Sequence, residues 1–481
     1  MHFSLGKVTG LVVTLVLFAG CTPAVNTQQL QTGAGHRDSV AKTIMEMEKD
    51  TSAQTEMWHW LNLARLYQTT KQYDKSIGAF EKAEGILNEY ESRAEVSFRN
   101  VGAGAGSLLF SKGAETYYGK GFERTLMHTL NGINYAMLGK FESATVEMRK
   151  MEKRQEFWLK ESEEKVTEAQ QKKGEVKGNP NTEAIPAGYS MGEMLQDEEV
   201  RSMANNYQDA FSYSISAIIS SIANDPQYSE ISQKRAVALS PEAAPLFAVI
   251  KEAPAKEAPV KEAPSQKTAS KKKSAKEVPV KEVPVVKETP DLLDIYVVTL
   301  AGQAPAQSID KIRFPMPSLN YYVVLDLPAL KHPKEDVSYV SIYSPLMGES
   351  ASPRLLKTDK MAYKTLKDEL PLEIMRSLVR GTTKGVVAKQ ASDHGGLFAG
   401  LAAAIIMDVT ASAMEQSYRN WELLPNSGFL SKVSAKRGDT VVIKTGGQEF
   451  SVTIPQEAKK GSLILVSYLS SQNVEVDHVE F

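Results

Sequence analysis

Residues 60–83 read WLNLARLYQTTKQYDKSIGAFEKA, and the spacing within this stretch decides what the front half of the chain is. Trp60, Leu63, Ala64 and Tyr67 recur at three- and four-residue steps, so they lie on one side of a helix. After a break near Lys71-Gln72, Tyr73, Ser76, Phe80 and Ala83 recur in the same way. Large residues on the first helix enter gaps left by small residues on the second, so two antiparallel helices can lie close together.

This is the spacing of the tetratricopeptide consensus, W-x2-L-G-x2-Y followed by a small residue, a Phe and an Ala. A second copy runs through Gly132, Tyr135, Gly139, Phe141, Ala144 and Met148. A weaker third runs through Tyr213, Ile218, Ile219, Tyr228 and Ala238, with Pro226 and Arg235 where the pattern prefers other residues. Such repeats bury their faces only against neighbours. Further helices around Ser92 to Phe110 and Glu152 to Lys172 are therefore expected to pack on them, giving a helical repeat domain over residues 51–248.

Toward the N-terminus, Leu17-Phe18-Ala19-Gly20-Cys21 reads as a lipobox, with Phe18 where Leu is usual. Lys7 supplies the positive end and Val8 to Phe18 the apolar run of a cleaved export signal, residues 1–20. The mature chain is then expected to start at a lipid-bearing Cys21, followed by a polar tether over 21–50. Thr22 rather than Asp after the cysteine favours the outer membrane and a periplasm-facing protein. Cys21 is the only cysteine in 481 residues, so no thiol remains for a disulfide, a thiolate metal site or a nucleophile. A formal net charge of −2 gives no global attraction to nucleic acid. Beyond the signal no apolar run reaches the roughly 18 residues of a membrane span, so the lipid is the expected membrane attachment.

Toward the C-terminus, residues 249–290 repeat Lys-Glu-Ala/Val-Pro units around Lys271-Lys272-Lys273. Proline at this density favours an extended linker that reaches up to about 120 Å at ~3.1 Å per residue. It is read as a solvated spacer or as a contact for anionic surfaces. Residues 291–481 read as an α+β domain. Strands are expected over Ile295 to Thr299, Tyr321 to Leu325, Val337 to Tyr343, Thr440 to Lys444, Glu449 to Ile454 and Ser462 to Ser467. Helices are expected over Tyr363 to Gln390 and Leu397 to Gln416. The tail from Ser431 reads as a small antiparallel module with Thr445-Gly446-Gly447-Gln448 as a hairpin turn. The fold class is thus multidomain: a helical tetratricopeptide-like repeat domain and an α+β domain joined by an extended linker.

Catalytic patterns fail on context. Gly188-Tyr189-Ser190-Met191-Gly192 has the letters of a nucleophile elbow, but a polar loop precedes it where a buried strand is needed. The glycines of Val101 to Gly106 lack the strand and the Gly-Lys-Ser/Thr of a phosphate loop. His59, His128, His332, His394 and His478 show no metal-ligand spacing, and Asp393-His394-Gly395-Gly396 reads as a helix entry. No catalytic residue, metal or cofactor is expected. Arg376, Arg380, Lys384 and Lys389 form a basic face, either solvated or ready for an anionic partner.

Tyr118-Gly119-Lys120-Gly121-Phe122-Glu123-Arg124, His128, Asn134 to Gly139, Ala144, Glu147 and Arg149 together resemble the core of an uncharacterised group of bacterial lipoproteins with tetratricopeptide-like repeats. Arg376-Ser377-Leu378-Val379-Arg380 with Lys384, and Arg419-Asn420-Trp421-Glu422-Leu423-Leu424-Pro425, look like that group's second signature, with Ser417 in the place of its usual Asp. The resemblance implies an envelope lipoprotein whose relatives tend to be encoded beside activators of peptidoglycan synthases. From the residues, Glu123, Arg124, His128, Glu147 and Arg149 are candidates for a polar cluster between helices, either structural or functional, with Glu147 paired to Arg124. The expected function is an adaptor for an unidentified envelope protein. Trp58, Tyr67, Tyr73, Tyr117 and Tyr118 would anchor it where exposed, beside Arg124, His128, Arg376 and Arg380. An envelope enzyme acting on peptidoglycan and a structural spacer are the alternatives. Oligomeric state is left open.

Overall fold

The computed structural model describes residues 27–98, 117–173, 184–248, 292–316, 321–333, 337–375, 377–378 and 420–481. Two helices come first, α1 (Thr27–Ala34) and α2 (Arg37–Lys49), inside the segment read as a tether. Leu30 and Ala34, then Val40, Ile44 and Met47, sit at helical spacing and are buried in the main core. Gln- and Thr-rich composition hid this apolar stripe.

Three helical hairpins follow: α3 (Met57–Thr69) with α4 (Tyr73–Phe98), α5 (Gly121–Met137) with α6 (Phe141–Lys173), and α9 (Ala210–Ile222) with α10 (Pro226–Leu239). One turn joins each pair. The N–H groups of Gln72, Lys140 and Asp225 donate to the carbonyls of Tyr67, Tyr135 and Ser220, at 2.8 to 2.9 Å. The residue before each donor has positive φ: Lys71 at 60°, Gly139 at 70° and Asn224 at 61°. Close contact also recurs. The Ser76 hydroxyl donates to the Ala64 carbonyl at 2.7 Å, and Ser229 does the same to Ala217. At the matching place in the second hairpin, a Cβ on Gly132 would run into Met148 and touch the Ala144 carbonyl. Pro226 is no misfit: it occupies the first turn of α10, where the missing N–H costs nothing, and Asp225 caps the helix by accepting the Tyr228 N–H at 3.2 Å. The helix expected around Glu152 to Lys172 is the continuation of α6, and the part of Ser92 to Phe110 beyond Phe98 lies outside the described residues. Short α7 (Gly192–Gln196) and α8 (Glu198–Ser202) lie between α6 and α9.

The strands are β1 (Leu293–Ala301), β2 (Gln307–Met316), β3 (Tyr321–Leu330), β4 (Val340–Ser344), β5 (Gly348–Ala351), β6 (Arg354–Lys357), β7 (Ser427–Ala435), β8 (Thr440–Thr445), β9 (Gln448–Thr453), β10 (Gly461–Ser470) and β11 (Asn473–Glu480). They form a five-stranded sheet in the order β11-β10-β1-β7-β6, a four-stranded sheet β5-β4-β8-β9, and the ribbon β2-β3. The β8–β9 turn is the expected one, with Gly446 at φ 56° and Gly447 at 77°. The tail is not a separate module, however: β10 lies parallel to β1 in mid-sheet, from Asp294 beside Gly461 to Ala301 beside Tyr468. Helix α11, residues 358–375, shares an apolar cluster with the β2–β3 ribbon and with Leu195 and Val200 of α7 and α8. The remainder of the two helices expected after Tyr363 lies outside the described residues, apart from Ser377 and Leu378.

The helices and the five-stranded sheet share one hydrophobic core. Phe80 of α4 meets Trp421 edge-on at 5.8 Å between ring centres, and Phe141 of α6 meets Phe481 at 6.2 Å. A linker that holds two domains widely apart is therefore not what the packing has on its two sides. Residues 249–291 themselves lie outside the described residues.

Candidate functional site

The inner face of the first two hairpins is filled by the chain's own segment Asn420-Trp421-Glu422-Leu423-Leu424. The segment makes a turn, the Leu424 N–H donating to the Trp421 carbonyl at 3.1 Å, and residues 421 to 424 have no solvent exposure. Polar side chains of α3 receive it. The Glu422 carboxylate accepts from Trp58 Nε1 at 2.6 Å and Asn62 Nδ2 at 3.0 Å. Asn62 Oδ1 accepts the Leu423 N–H at 3.0 Å, and Arg65 Nε donates to the Leu423 carbonyl at 3.1 Å. Arg65 also donates to Gln68, whose amide reaches the Leu130 carbonyl at 3.0 Å and Asn134 Oδ1 at 2.6 Å. Asn134 closes the chain on Ser76 at 2.8 Å.

Burial sets the electrostatics of this groove. It pulls the Arg65 guanidinium down to about 9. It pushes the Glu123 carboxyl up, against the opposing hydrogen bonds from the Lys120 and Trp421 N–H groups at 2.5 and 3.1 Å. Burial and the Glu123 carboxylate together raise the Tyr117 hydroxyl.

A second polar assembly lies between α4, α5 and α6. His128 Nδ1 meets Glu147 Oε2 at 2.7 Å, and Arg154 Nε donates to His128 Nε2 at 3.3 Å. An arginine is a donor only, which places the ring proton on Nδ1, facing the carboxylate. Arg154 also binds Asn88 at 2.6 Å and pairs with Glu84 and Glu91. Burial would raise the Glu147 carboxyl, but His128 and Lys150 bring it below its ordinary value. Donor atoms of Glu84, His128 and Glu147 lie within 4.8 Å of one another, close enough for a divalent cation. The Lys150 ammonium already stands 2.9 Å from both carboxylates, so the cluster carries its own cation.

Against these assemblies the expected anchors fall as follows. Trp58, Tyr67 and Tyr73 are buried, with their polar atoms on Glu422, Glu48 and Asp477, so they lack the exposure an anchor needs. Tyr117 and Tyr118 are half-buried, Tyr118 stacking on Tyr90 at 3.9 Å. Arg124 and His128 are buried together, but Glu147 pairs with His128 while Arg124 faces Glu91 at 3.7 Å and the rings of Tyr90 and Trp158. Arg154 of α6, rather than Arg124, brings a cation to His128. Arg149 leaves the cluster for Asp225 at 3.2 Å, and Glu123 turns toward the docked segment. Ser190 stands among turns, its N–H on Asp310 at 2.8 Å, with no strand in described residues 184–189 before it. Cys21, Arg376, Arg380 and His394 lie outside the described residues.

Asn62, Arg65, Gln68, Glu84 and Arg154 escaped the sequence reading, and Glu422 entered it only as part of a signature. A signal existed: Asn62, Arg65, Gln68 and Thr69 form a polar stripe on the side of α3 away from Trp60, Leu63 and Tyr67. An open cavity of about 400 Å³ remains between α6, α9 and α10, lined by Gln155, Leu159, Tyr213, Arg235 and Leu239 among others. Its walls are braced by Arg235 on Glu152 at 2.6 Å and Tyr213 on Gln155 at 2.7 Å.

Fold and site define a mixed α and β protein whose helical hairpins hold a turn of the same chain. No protein family, curated protein or solved structure matches the sequence or the fold. Among the described residues, no helix is long and apolar enough to cross a membrane.

Proposed function

We propose that the protein is a lipid-anchored, periplasm-facing outer-membrane lipoprotein acting as a protein-binding scaffold through tetratricopeptide-like repeats. The recurring turn and close-contact positions of the three hairpins support reading them as repeats. The observation that carries the binding function is the docked turn. Asn62 and Arg65 hold both main-chain groups of Leu423, a mode of capture that reads peptide backbone rather than one side chain.

That groove is filled in cis, so the place for a partner is the open cavity beside α6, α9 and α10. Leu159 and Leu239 are exposed at its rim, at 44 % and 38 %. A photo-crosslinking residue at Leu159 or Leu239, used in intact envelopes, tests this. One reproducible protein adduct, lost on the exposed-site change Glu156→Lys at unchanged protein level, is the expected result. No adduct at either position overturns it.

A further inference from the structure

We propose that the end of the molecule where the α1–α2, β10–β11 and β8–β9 turns meet lies against the membrane, with phospholipid headgroups as its partner. This rests on the lipid-anchor reading of Cys21. Five residues separate Cys21 from Thr27, the start of α1. A trans chain spans at most about 3.6 Å per residue, so the lipid-bearing Cα lies within ~22 Å of Thr27. The helical rise adds ~11 Å along α1, which keeps Gly35 within roughly 33 Å of the anchor.

Past α1 the chain is pinned. Asn473 Nδ2 donates to the Ala34 carbonyl at 2.6 Å, the Ser470 hydroxyl to the Gly35 carbonyl, and the Arg37 N–H to the Gln472 carbonyl at 3.3 Å. Gln448 Nε2 donates to the Ser471 carbonyl at 2.7 Å, which brings the β8–β9 turn alongside. These contacts fix the end of α1 and the α1–α2 turn to the edge of the sheet.

The chemistry of this end suits headgroup contact rather than insertion. Its turns carry Gly35, His36, Gly446, Gly447, Ser471 and Gln472, and the large apolar side chain exposed nearby is Met45 of α2. Glu475 is engaged by Arg37 at 2.6 Å and Lys71 at 3.6 Å, while Arg37 and Lys42 remain 70 % and 75 % exposed as donors for phosphate. Asp38, Glu46 and Glu449 are exposed acids at this edge, and Glu46 pairs with Lys42 at 3.7 Å. The opposite end carries the exposed β4–β5 turn, Leu346 and Met347. Met347 Sδ accepts the Ser434 N–H at 3.2 Å, and Ser434 pairs with Asp294, which pairs with Gly461. Gly461 and Ser470 are the two ends of β10, about 30 Å apart at strand rise.

The test uses the full lipidated chain, in which Cys21 is the sole native cysteine. Single cysteines at Ala41, Gln472 or Leu346 are labelled with a donor dye and the protein is reconstituted into phosphatidylethanolamine/phosphatidylglycerol vesicles carrying a headgroup acceptor. Energy transfer several-fold higher from positions 41 and 472 than from 346 is expected. Equal or reversed transfer, with the protein floating on the vesicles, overturns the orientation alone. If the wild-type chain floats no better than Cys21→Ser, the anchor reading fails and the proposal falls with it.

Discussion

The indole N–H of Trp58 donates to the carboxylate of Glu422 at 2.6 Å across 364 positions of sequence, with both side chains buried. This bond joins the first helical hairpin to the turn that enters the five-stranded sheet. Losing one partner leaves the other desolvated and unsatisfied, at a cost of about 1 to 3 kcal/mol. Trp58→Phe and Glu422→Met should each destabilise the protein by at least that amount in urea unfolding, and the double variant should lose less than the sum. Strict additivity would count against a direct bond.

Asn62 serves Glu422, the Trp58 carbonyl and the Leu423 N–H at once, so Asn62→Leu removes three bonds in a dry site. An expected loss of about 2 to 4 kcal/mol exceeds that of Trp58→Phe. Urea midpoints read against wild type decide the order.

Asp209 caps α9 through the Ser212 N–H at 2.6 Å and is buried, which pushes its carboxyl up from 3.8 to about 6. A folded value above the unfolded one means that the contribution to stability is full below pH 3.8 and is lost as pH rises through 6. Asp209→Asn keeps a capping oxygen and does not titrate. Its stability relative to wild type should improve by about 3 kcal/mol between the acid side of this window and pH 7. Parallel stability curves for the two proteins would refute the assignment.

Lys71 and Asn224 take the left-handed conformation that Gly139 takes in the second hairpin. Asn224→Gly should leave stability level or raise it by up to about 1 kcal/mol, Lys71→Gly should gain less because it also gives up the Glu475 pairing and the bond to the Val476 carbonyl, and Gly139→Ala should lower it by about 1 to 2 kcal/mol. No atom lies within 4 Å of a Cβ built at Gly139, so the penalty is conformational. Thermal unfolding of the three variants checks the common turn.

Arg154 binds His128, Asn88, Glu84 and Glu91 in a half-dry site, and Arg154→Met takes this donor from His128 and Asn88 while Glu84 keeps Lys150 and Glu91 keeps the longer pairing with Arg124. A loss of about 3 to 5 kcal/mol is expected. Nitrogen NMR of His128 should show the Nδ1–H tautomer in wild type and a shifted Nε2 resonance in the variant, where the Arg154 donor is gone.

The partners of α3 show why part of the site was illegible. Its periodicity announces an amphipathic helix, with Trp60, Leu63 and Tyr67 on the core side. In the fold every residue from Met57 to Thr69 is buried, because the turn at Asn420 to Leu424 covers what would otherwise be the open face. Trp58 therefore looked like an exposed anchor and is an internal one. In the same way, β11 alternates charges through Asn473-Val474-Glu475-Val476-Asp477-His478, a weak strand signal that pairing with β10 and the cations Arg37 and Lys71 overrides.

The sequence by itself determined the helical hairpins, the Gly446-Gly447 turn and the strands flanking it. Each depends on side chains three or four positions apart or on the φ that glycine allows, and those constraints act within a few residues. Tertiary structure alone decided that the helical hairpins and the sheet share one core, that β10 lies beside β1, and that Glu422 closes the groove over Trp58 and Asn62. Such pairings join segments hundreds of residues apart. Loop-closure entropy changes only slowly with that separation, so chain distance does not select the partner, and complementary burial and hydrogen bonding do.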